Sequence, residues 1–257
     1  MKLTIAEIRA TLTDKKKEED KDTLWAYLFM RPMSIYPAWL FLRLNMSANQ
    51  VTMLGFVVGL AACILLGYGS YLTIIIASIL VNVRSLLDYS DGTVARATKN
   101  CTPYGQFLDR ILDDVIGICI PIAIGIGLCL HPDNKLATLI GIEIPNITFV
   151  IMGLTYSILG TLSSLISDEM ALVFSIIPSQ FYRPQEGKGW SLWGILYRMG
   201  INIQPLSTIL LLICALANAL SLFLSFYILV TLAEISVALG KRLLTMPTKT
   251  EKEKKDG

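Results

Sequence analysis

The chain has 257 residues, of which 54% are hydrophobic and only 16% charged, and its mean hydropathy is +0.59. These values lie outside the range of soluble globular domains and indicate an integral membrane protein. The formal net charge of +2 gives no sign of a nucleic-acid partner, because such partners select for a strong basic excess.

The first half of the chain contains a polar terminus, an interfacial segment and three apolar segments. Residues 1–22 are charged and lack the apolar core of a signal peptide, so we expect a polar cytoplasmic tail or a surface helix. Residues 23–46 mix aromatic side chains with arginines and prolines, which favours an amphipathic helix at the membrane surface. The first three spanning helices are predicted at residues 51–66, 71–90 and 105–130.

The second half of the chain contains three further apolar segments and a polar terminus. The fourth, fifth and sixth spans are predicted at residues 145–166, 203–220 and 221–239. Residues 167–200 form a loop with the mixture of aromatic and basic residues that is typical of a membrane boundary. Residues 241–257 are predicted to be a basic, disordered tail. The predicted fold is all-α, with six transmembrane helices preceded by an interfacial amphipathic helix.

The basic residues indicate the orientation of this fold, which forms one transmembrane domain over residues 23–240. Six spans place both termini on one side, and only Lys135 among the 22 lysines and arginines then falls on the other side. The positive-inside rule makes both termini cytoplasmic. The same arrangement places the junction between the second and third spans at the cytoplasmic face.

Two stripes of small and acidic residues flank that junction. The first stripe recurs at intervals that share one helix face and consists of Asp88, Asp91, Gly92, Ala95 and Arg96. The second stripe does the same at the start of the third span and consists of Gly105, Asp109 and Asp113. Between them, Thr102 is suited to cap a helix and Pro103 to take its first position. We therefore expect a helical hairpin with facing carboxylates.

Four carboxylates so close together would repel one another, and they are costly near the hydrocarbon. Arg96 and Arg110 could neutralise two of them at most, so one or two divalent cations account better for the cluster. Aspartate oxygens select hard ions such as Mg²⁺ or Mn²⁺, and Mg²⁺ is often shared with substrate phosphates. The sequence therefore predicts an enzyme that acts on a phosphate ester. A cation transporter that uses the aspartates as an ion path is the alternative from another class.

The glycines and alanine of the two stripes have two interpretations. Without side chains, Gly92, Ala95 and Gly105 leave room for a bulky group beside the backbone. Small residues also let membrane helices approach closely, which is a purely structural role. Their position among the aspartates favours the first interpretation.

The two stripes together form the run D-x2-DG-x2-AR-x8-G-x3-D-x3-D, which resembles the signature of the CDP-alcohol phosphotransferase family at every fixed position. The resemblance implies a membrane enzyme that transfers a substituted phosphate from a CDP-alcohol to an acceptor hydroxyl and releases CMP, usually as a homodimer. It implies two metal ions held by Asp88, Asp91, Asp109 and Asp113, with Asp113 also acting as general base. The residues implied to border the cytidine diphosphate are Asn49, Thr52, Gly92, Ala95, Arg96, Thr102 and Gly105. Ala48 stands where the family commonly has proline, which weakens the assignment of Asn49 and Thr52.

The compact six-span chain resembles family members that use CDP-diacylglycerol in phospholipid biosynthesis. A soluble donor, a CDP-amino alcohol or CDP-polyol, with a lipid acceptor is the alternative, and the acceptor alcohol stays open.

Arg183, Lys188 and Arg198 are candidates for binding an anionic acceptor, but anchoring at the membrane surface explains them equally well. Asp114 points away from the stripe of Asp113 and is expected to be a partner for Arg110 or a neighbouring helix.

Overall fold

The protein is described by a computed structural model, which covers residues 3–12, 25–174, 203 and 206–245. The regular structure of these residues is helical, as predicted. The helices are α1 (Ile5–Ala10), α2 (Arg31–Arg43), α3 (Ala48–Tyr68), α4 (Tyr71–Ala97), α5 (Pro103–Leu130), α6 (Lys135–Ile140), α7 (Ile147–Phe174), α8 (Ser207–Leu216) and α9 (Leu220–Thr245). A π-helical turn, Ala26–Met30, leads into α2.

Four helices, α3, α4, α5 and α7, combine the length and apolar composition needed to cross a bilayer. They correspond to the first four predicted spans and identify an integral membrane protein. The helix in the region of the fifth predicted span, α8, has 10 residues. At 1.5 Å per residue its length is roughly 15 Å, about half of the hydrocarbon thickness.

Three helices extend beyond the predicted spans. The α4 helix continues past residue 90 to Ala97, so the first acidic stripe lies within the last turns of the same helix. The α7 helix ends at Phe174, and the predicted loop start at residue 167 is therefore wrong. An ion pair between Asp168 and Arg110 of α5 stabilises this extension. The α9 helix reaches Thr245, beyond the predicted start of the basic tail at residue 241.

The N-terminal helices form a small layer against α4. In α1, Thr4 and Glu7 form a reciprocal capping box, and Ile8 is buried. The α2 helix buries one face, which consists of Ser34, Ile35, Ala38, Phe41 and Leu42. Part of the segment predicted as a polar tail or surface helix is therefore a packed helix, because Ile8 joins the same cluster of buried side chains as that α2 face.

The main apolar core lies at the end of the bundle where α3 meets α4, and this end is closed by close backbone contacts. A Cβ added to Gly127 of α5 would lie 2.1 Å from the Leu66 carbonyl oxygen of α3. One added to Gly125 would lie 2.5 Å from the Phe149 carbonyl oxygen of α7. Such glycines allow membrane helices to pack backbone against backbone. The core thereby fixes the opposite ends of α3, α4 and α5, where the aspartates lie.

Candidate active site

The end of α4 and the start of α5 form the predicted hairpin. The Thr102 hydroxyl accepts a hydrogen bond from the Gly105 amide at 3.1 Å and caps α5. Pro103 occupies the first turn of α5, where its missing N–H is not needed. The predictions of the hairpin, its cap and its first residue are confirmed. This local geometry brings the two acidic stripes face to face.

Three of the four aspartates lie close together. Asp88, Asp91 and Asp109 each offer a carboxylate oxygen within 4.8 Å of the other two. The Thr52 hydroxyl of α3 donates to Asp91 Oδ2 at 2.7 Å. Asp109 Oδ1 is buried and receives no hydrogen bond from the described residues. A buried oxygen without a donor, beside two further carboxylates, fits a hard divalent cation such as Mg²⁺ or Mn²⁺.

The fourth aspartate, Asp113, is held differently. Arg84 of α4 forms an ion pair with Asp113 Oδ1. All four aspartates and Arg84 nevertheless line one narrow cavity of about 10 Å³, roughly the volume that one water molecule requires. Arg84 was not among the neighbouring cations predicted from the sequence. The missed signal was an arginine inside an apolar helix, four residues before Asp88, since ionised residues within membrane spans are usually functional.

Arg110 and Asp114 lie outside this cluster. Arg110 pairs with Asp168 of α7, and its Nε lies 3.9 Å from Asp114 Oδ2. The expectation that Asp114 partners Arg110 is confirmed, but Asp168 is the closer partner. Arg110 therefore contributes its charge to the α5–α7 contact, and among the described residues Arg84 forms the ion pair with Asp113.

A cavity of about 500 Å³ adjoins the three carboxylates, a size typical of small-ligand sites. Its lining includes every residue that the family resemblance implies beside the nucleotide: Asn49, Thr52, Gly92, Ala95, Arg96, Thr102 and Gly105. Asp88, Asp91 and Asp109 line it as well, but Asp113 does not. The structure thus brings the expected nucleotide-binding residues and three of the four expected metal ligands to one concave surface.

The small residues of the motif face this cavity. The nearest atoms to a Cβ added at Gly92 would all belong to the Arg96 side chain, the closest at 3.3 Å. A Cβ at Gly105 would lie 3.0 Å from Asn49 Oδ1 and 3.2 Å from Thr102 Oγ1. These neighbours are cavity-lining side chains, and no helix backbone is among them. The geometry therefore supports ligand clearance over helix packing for both glycines.

Other cavity-lining residues were not expected from the sequence. The Arg31 guanidinium lies over the Tyr89 ring, 5.0 Å from its centroid, at a distance typical of cation–π contact. This contact joins α2 to α4 across the cavity wall. The remaining unexpected lining residues with polar side chains are Asn100 and Gln106. The motif spacing gives no information about them, because their positions depend on how α2 and the hairpin turn pack.

A second cavity, of about 390 Å³, lies on the other side of Asp113. Residues of α5, α7 and α9 line it, among them Thr161, Ser163, Ser164 and Glu234. Asp113 therefore lies between the narrow cavity and this larger one. Arg183, Lys188 and Arg198, the candidates for acceptor binding, lie outside the described residues.

The sequence of the chain matches a known protein family. Residues 45–240 match the CDP-alcohol phosphatidyltransferase family. The chain belongs to that family. The match covers both acidic stripes together with α3 to α9 as far as residue 240.

Two enzymes are similar to the chain in sequence. Archaetidylinositol phosphate synthase of Pyrococcus horikoshii is 36% identical over 99 residues, 38% of this chain and 50% of that enzyme. Cholinephosphotransferase 1 of Mus musculus is 28% identical over 118 residues, 41% of this chain and 30% of that enzyme. The chain thus spans half or less of the length of these relatives.

One solved structure is also similar to the chain. Phosphatidylinositol phosphate synthase of Mycobacterium tuberculosis, in complex with manganese and citrate, aligns with a TM-score of 0.46 at 16% identity. The alignment covers 82% of this chain and 89% of that one.

Proposed function

We propose that the protein transfers a substituted phosphate from a CDP-alcohol, CDP-diacylglycerol in the first instance, to the hydroxyl of an acceptor alcohol in phospholipid biosynthesis. CMP is the second product. The observation that carries the proposal is the cavity of about 500 Å³ whose wall contains the motif residues and three clustered carboxylates. A cation transporter would need ionisable groups continuing across the membrane, whereas α5 beyond Asp114 is apolar as far as Leu130.

In this proposal Asp88, Asp91 and Asp109 hold Mg²⁺ or Mn²⁺. The bound metal would neutralise the diphosphate and make the phosphorus more susceptible to attack. Thr52 orients Asp91 through its hydrogen bond, and the Arg96 guanidinium, which donates to Thr93 Oγ1 at 3.1 Å, is placed to meet a phosphate oxygen. A second ion that uses Asp113 as a ligand stays a prediction.

Asp113 is proposed as the general base. It borders the second cavity, so a hydroxyl that enters there would meet its carboxylate next to the metal group. A carboxylate is a weak base, but it suffices when the hydroxyl is held against it and becomes more acidic as the bond to phosphorus forms. The hydroxyl side chains of Thr161, Ser163 and Ser164 would suit a polar acceptor. Arg183, Lys188 and Arg198 are further proposed acceptor contacts.

Two exposed aromatic side chains support a lipid-linked donor. Tyr104 and Phe107 are 64% and 62% exposed and flank Gly105 and Gln106, which line the cavity. In a bilayer, exposed aromatic groups of this kind lie against acyl chains and headgroups. A donor with its nucleotide in the cavity could therefore keep its acyl chains in the lipid.

The proposed setting of the site follows from the arrangement of the helices and charges. We propose that α8 and α9 contribute the fifth and sixth spans, so that both termini and the carboxylates lie at the cytoplasmic face. In support, α8 and α9 are apolar helices joined by a short turn at residues 217–219. The α2 helix would lie in the interface, since it exposes Met33, Tyr36 and Leu40 on the face opposite its buried side chains. A homodimer is proposed from the family resemblance.

The testing experiment incubates the purified protein with Mn²⁺ or Mg²⁺, a CDP-alcohol and a panel of alcohols, and it measures CMP and the lipid product by mass. We expect CMP release that depends on CDP-diacylglycerol and on one acceptor. Activity with CDP-choline and diacylglycerol instead would reverse the roles of lipid and soluble alcohol. Failure to release CMP from any CDP-alcohol would refute the proposed function. CMP with Mn²⁺ should also raise the melting temperature, and UMP should not.

A further inference from the structure

Arg84 connects the last aspartate of the motif to the rest of the site. It lies on α4 one turn before Asp88, and its guanidinium pairs with Asp113 of α5. The Arg84 side chain is only 18% exposed. Because an arginine inside a membrane span is costly unless it is paired, this contact determines where the side chain can lie.

The path of the Arg84 side chain is shaped by α3 and α5. A Cβ added to Gly59 of α3 would lie 3.1 Å from Arg84 Cδ and 3.0 Å from Ile116 Cδ1. These distances are shorter than ordinary van der Waals contact, so the absence of a side chain at Gly59 leaves the space that the Arg84 stem occupies. Three helices therefore hold the guanidinium beside Asp113.

The ion pair with Arg84 distinguishes Asp113 from the other carboxylates, and Asp113 also lies within hydrogen-bond reach of Asp88. Asp88, Asp91 and Asp109 form the group with oxygens within 4.8 Å, and Asp113 is not part of it. A carboxylate has two oxygens, and Arg84 engages Oδ1 of Asp113, which leaves Oδ2 for another partner. A base whose orientation is fixed by a third group is a recurring arrangement in catalytic sites.

We propose that Arg84 is the positioning residue for Asp113, and this proposal rests on the proposed function. Arg84 holds one oxygen of Asp113, so that the other faces the acceptor hydroxyl. The acceptor oxygen forms a bond to the phosphorus, the bond from that phosphorus to the CMP oxygen breaks, and the hydroxyl proton passes to Asp113. Arg84 touches neither substrate, and its effect on the reaction is through the orientation of the base.

The test measures kcat, the KM for the donor and the Mn²⁺ activation constant in Arg84→Gln and Arg84→Lys. Arg84→Gln should lower kcat by about 100-fold, the size of effect that a misplaced reacting group produces. The KM and the Mn²⁺ constant should change little, because the nucleotide and metal residues stay in place. Arg84→Lys keeps the charge but not the planar group, so its kcat should lie between those of the wild type and Arg84→Gln.

A double-mutant cycle separates positioning from a general structural effect. In an Asp113→Asn background, Arg84→Gln should cause no further loss of kcat, because residues that act as a unit are not additive. Arg43→Gln is the matched control, since it removes another arginine contact, the one with the Trp39 ring of α2, at a residue that lines none of the three cavities, and its kcat should equal that of the wild type. Stabilisation by CMP with Mn²⁺ reports whether each variant is folded. If Arg84→Gln does not fold, Arg84→Lys supplies the same comparison.

Three results would overturn the proposal: wild-type kcat in Arg84→Gln, an equal further loss in the Asp113→Asn background, or a parallel rise in the Mn²⁺ activation constant. A wild-type protein that releases no CMP from any CDP-alcohol would instead refute the proposed function. The two failures are therefore distinguishable.

Discussion

The two ends of the α3, α4 and α5 bundle use small residues in opposite ways. At the end far from the aspartates, Gly127 lies against the Leu66 carbonyl and Gly125 against the Phe149 carbonyl, so the backbones touch. At the aspartate end, Gly92 and Gly105 face a cavity of about 500 Å³ and have only side chains as neighbours. Small residues thus allow close backbone packing at one end of the bundle, called the closed end here, and leave space for a ligand at the aspartate end, called the open end.

The comparison shows that a small residue has no fixed meaning in a membrane helix. Helix packing and ligand clearance both select glycine, so the glycine itself does not distinguish them. The neighbours do: backbone atoms of Leu66 and Gly69 lie next to Gly127, whereas the side chains of Arg96, Asn49 and Thr102 lie next to the motif glycines. Substitutions at the closed end should therefore change stability, and substitutions at the open end should change turnover or binding.

The largest effect is expected at the proposed base. Asp113→Asn should lower kcat by roughly 10²- to 10⁴-fold, the range attributed to general acid–base catalysis, because the amide cannot accept the acceptor proton. Stabilisation of the protein by CMP with Mn²⁺ should persist, since Asp113 does not line the large cavity. Near-normal turnover in the variant would remove Asp113 from the mechanism.

A smaller loss is expected when Thr52 is replaced by valine of similar shape. The substitution removes the hydroxyl that donates to Asp91 Oδ2 at 2.7 Å. The Mn²⁺ activation constant should rise by roughly 10- to 100-fold, as is usual when a partner of a metal ligand is lost. Thr138→Val on α6 removes a hydroxyl that donates to its own helix and serves as the control. Equal constants in both variants would show that Thr52 does not support the metal ligand.

A larger side chain at the open end, where the motif glycines face the large cavity, should weaken donor binding. Gly92→Leu would place a branched side chain in the large cavity, so the KM for the CDP-alcohol should rise by about tenfold or more, equivalent to about 1.4 kcal/mol. The melting temperature without ligand should change little. Gly67→Leu is the control, because a Cβ there meets no atom within 4 Å. A fall in melting temperature with an unchanged KM would assign Gly92 to helix packing.

A side chain added at the closed end, where the helix backbones touch, should have the smallest effect on catalysis and a clear effect on stability. A Cβ at Gly127 would lie 2.1 Å from the Leu66 carbonyl oxygen, so Gly127→Ala should cost about 1 to 3 kcal/mol of stability through overpacking. The KM for the donor should match that of the wild type. Gly67→Ala should leave the melting temperature unchanged or raise it, since alanine favours a helix. Equal melting temperatures for the two alanine variants would contradict the close contact.

The hairpin could be predicted from the sequence because its determinants are local. Helical periodicity places the acidic residues on one face, and Thr102 with Pro103 specifies where α5 begins. The end of α7 could not be predicted in this way, because the helix is extended by the contact of Asp168 with Arg110 on α5. That partner lies far away in the sequence and is positioned only by tertiary packing.

The division of the four aspartates also depends on tertiary structure. The motif places Asp109 and Asp113 on the same helix face, so the sequence predicts both as metal ligands and does not distinguish them. Only the packing of α3, which leaves room for Arg84 beside Gly59, distinguishes them. The pairing of Arg31 with Tyr89 is invisible in the sequence for the same reason, since it joins α2 to α4.

The most direct test of the account is Mn²⁺ affinity in the presence of CMP, measured for the wild type, Asp109→Asn and Asp113→Asn. The account predicts that Asp109→Asn weakens Mn²⁺ binding by at least roughly 100-fold, the upper range for loss of a supporting residue, because Asp109 belongs to the three-carboxylate group. Asp113→Asn should still bind Mn²⁺ at the three-carboxylate group almost as tightly as the wild type, and only a second ion that uses Asp113 as a ligand should be lost. An equal loss in both variants, or tight binding retained in Asp109→Asn, would contradict the account.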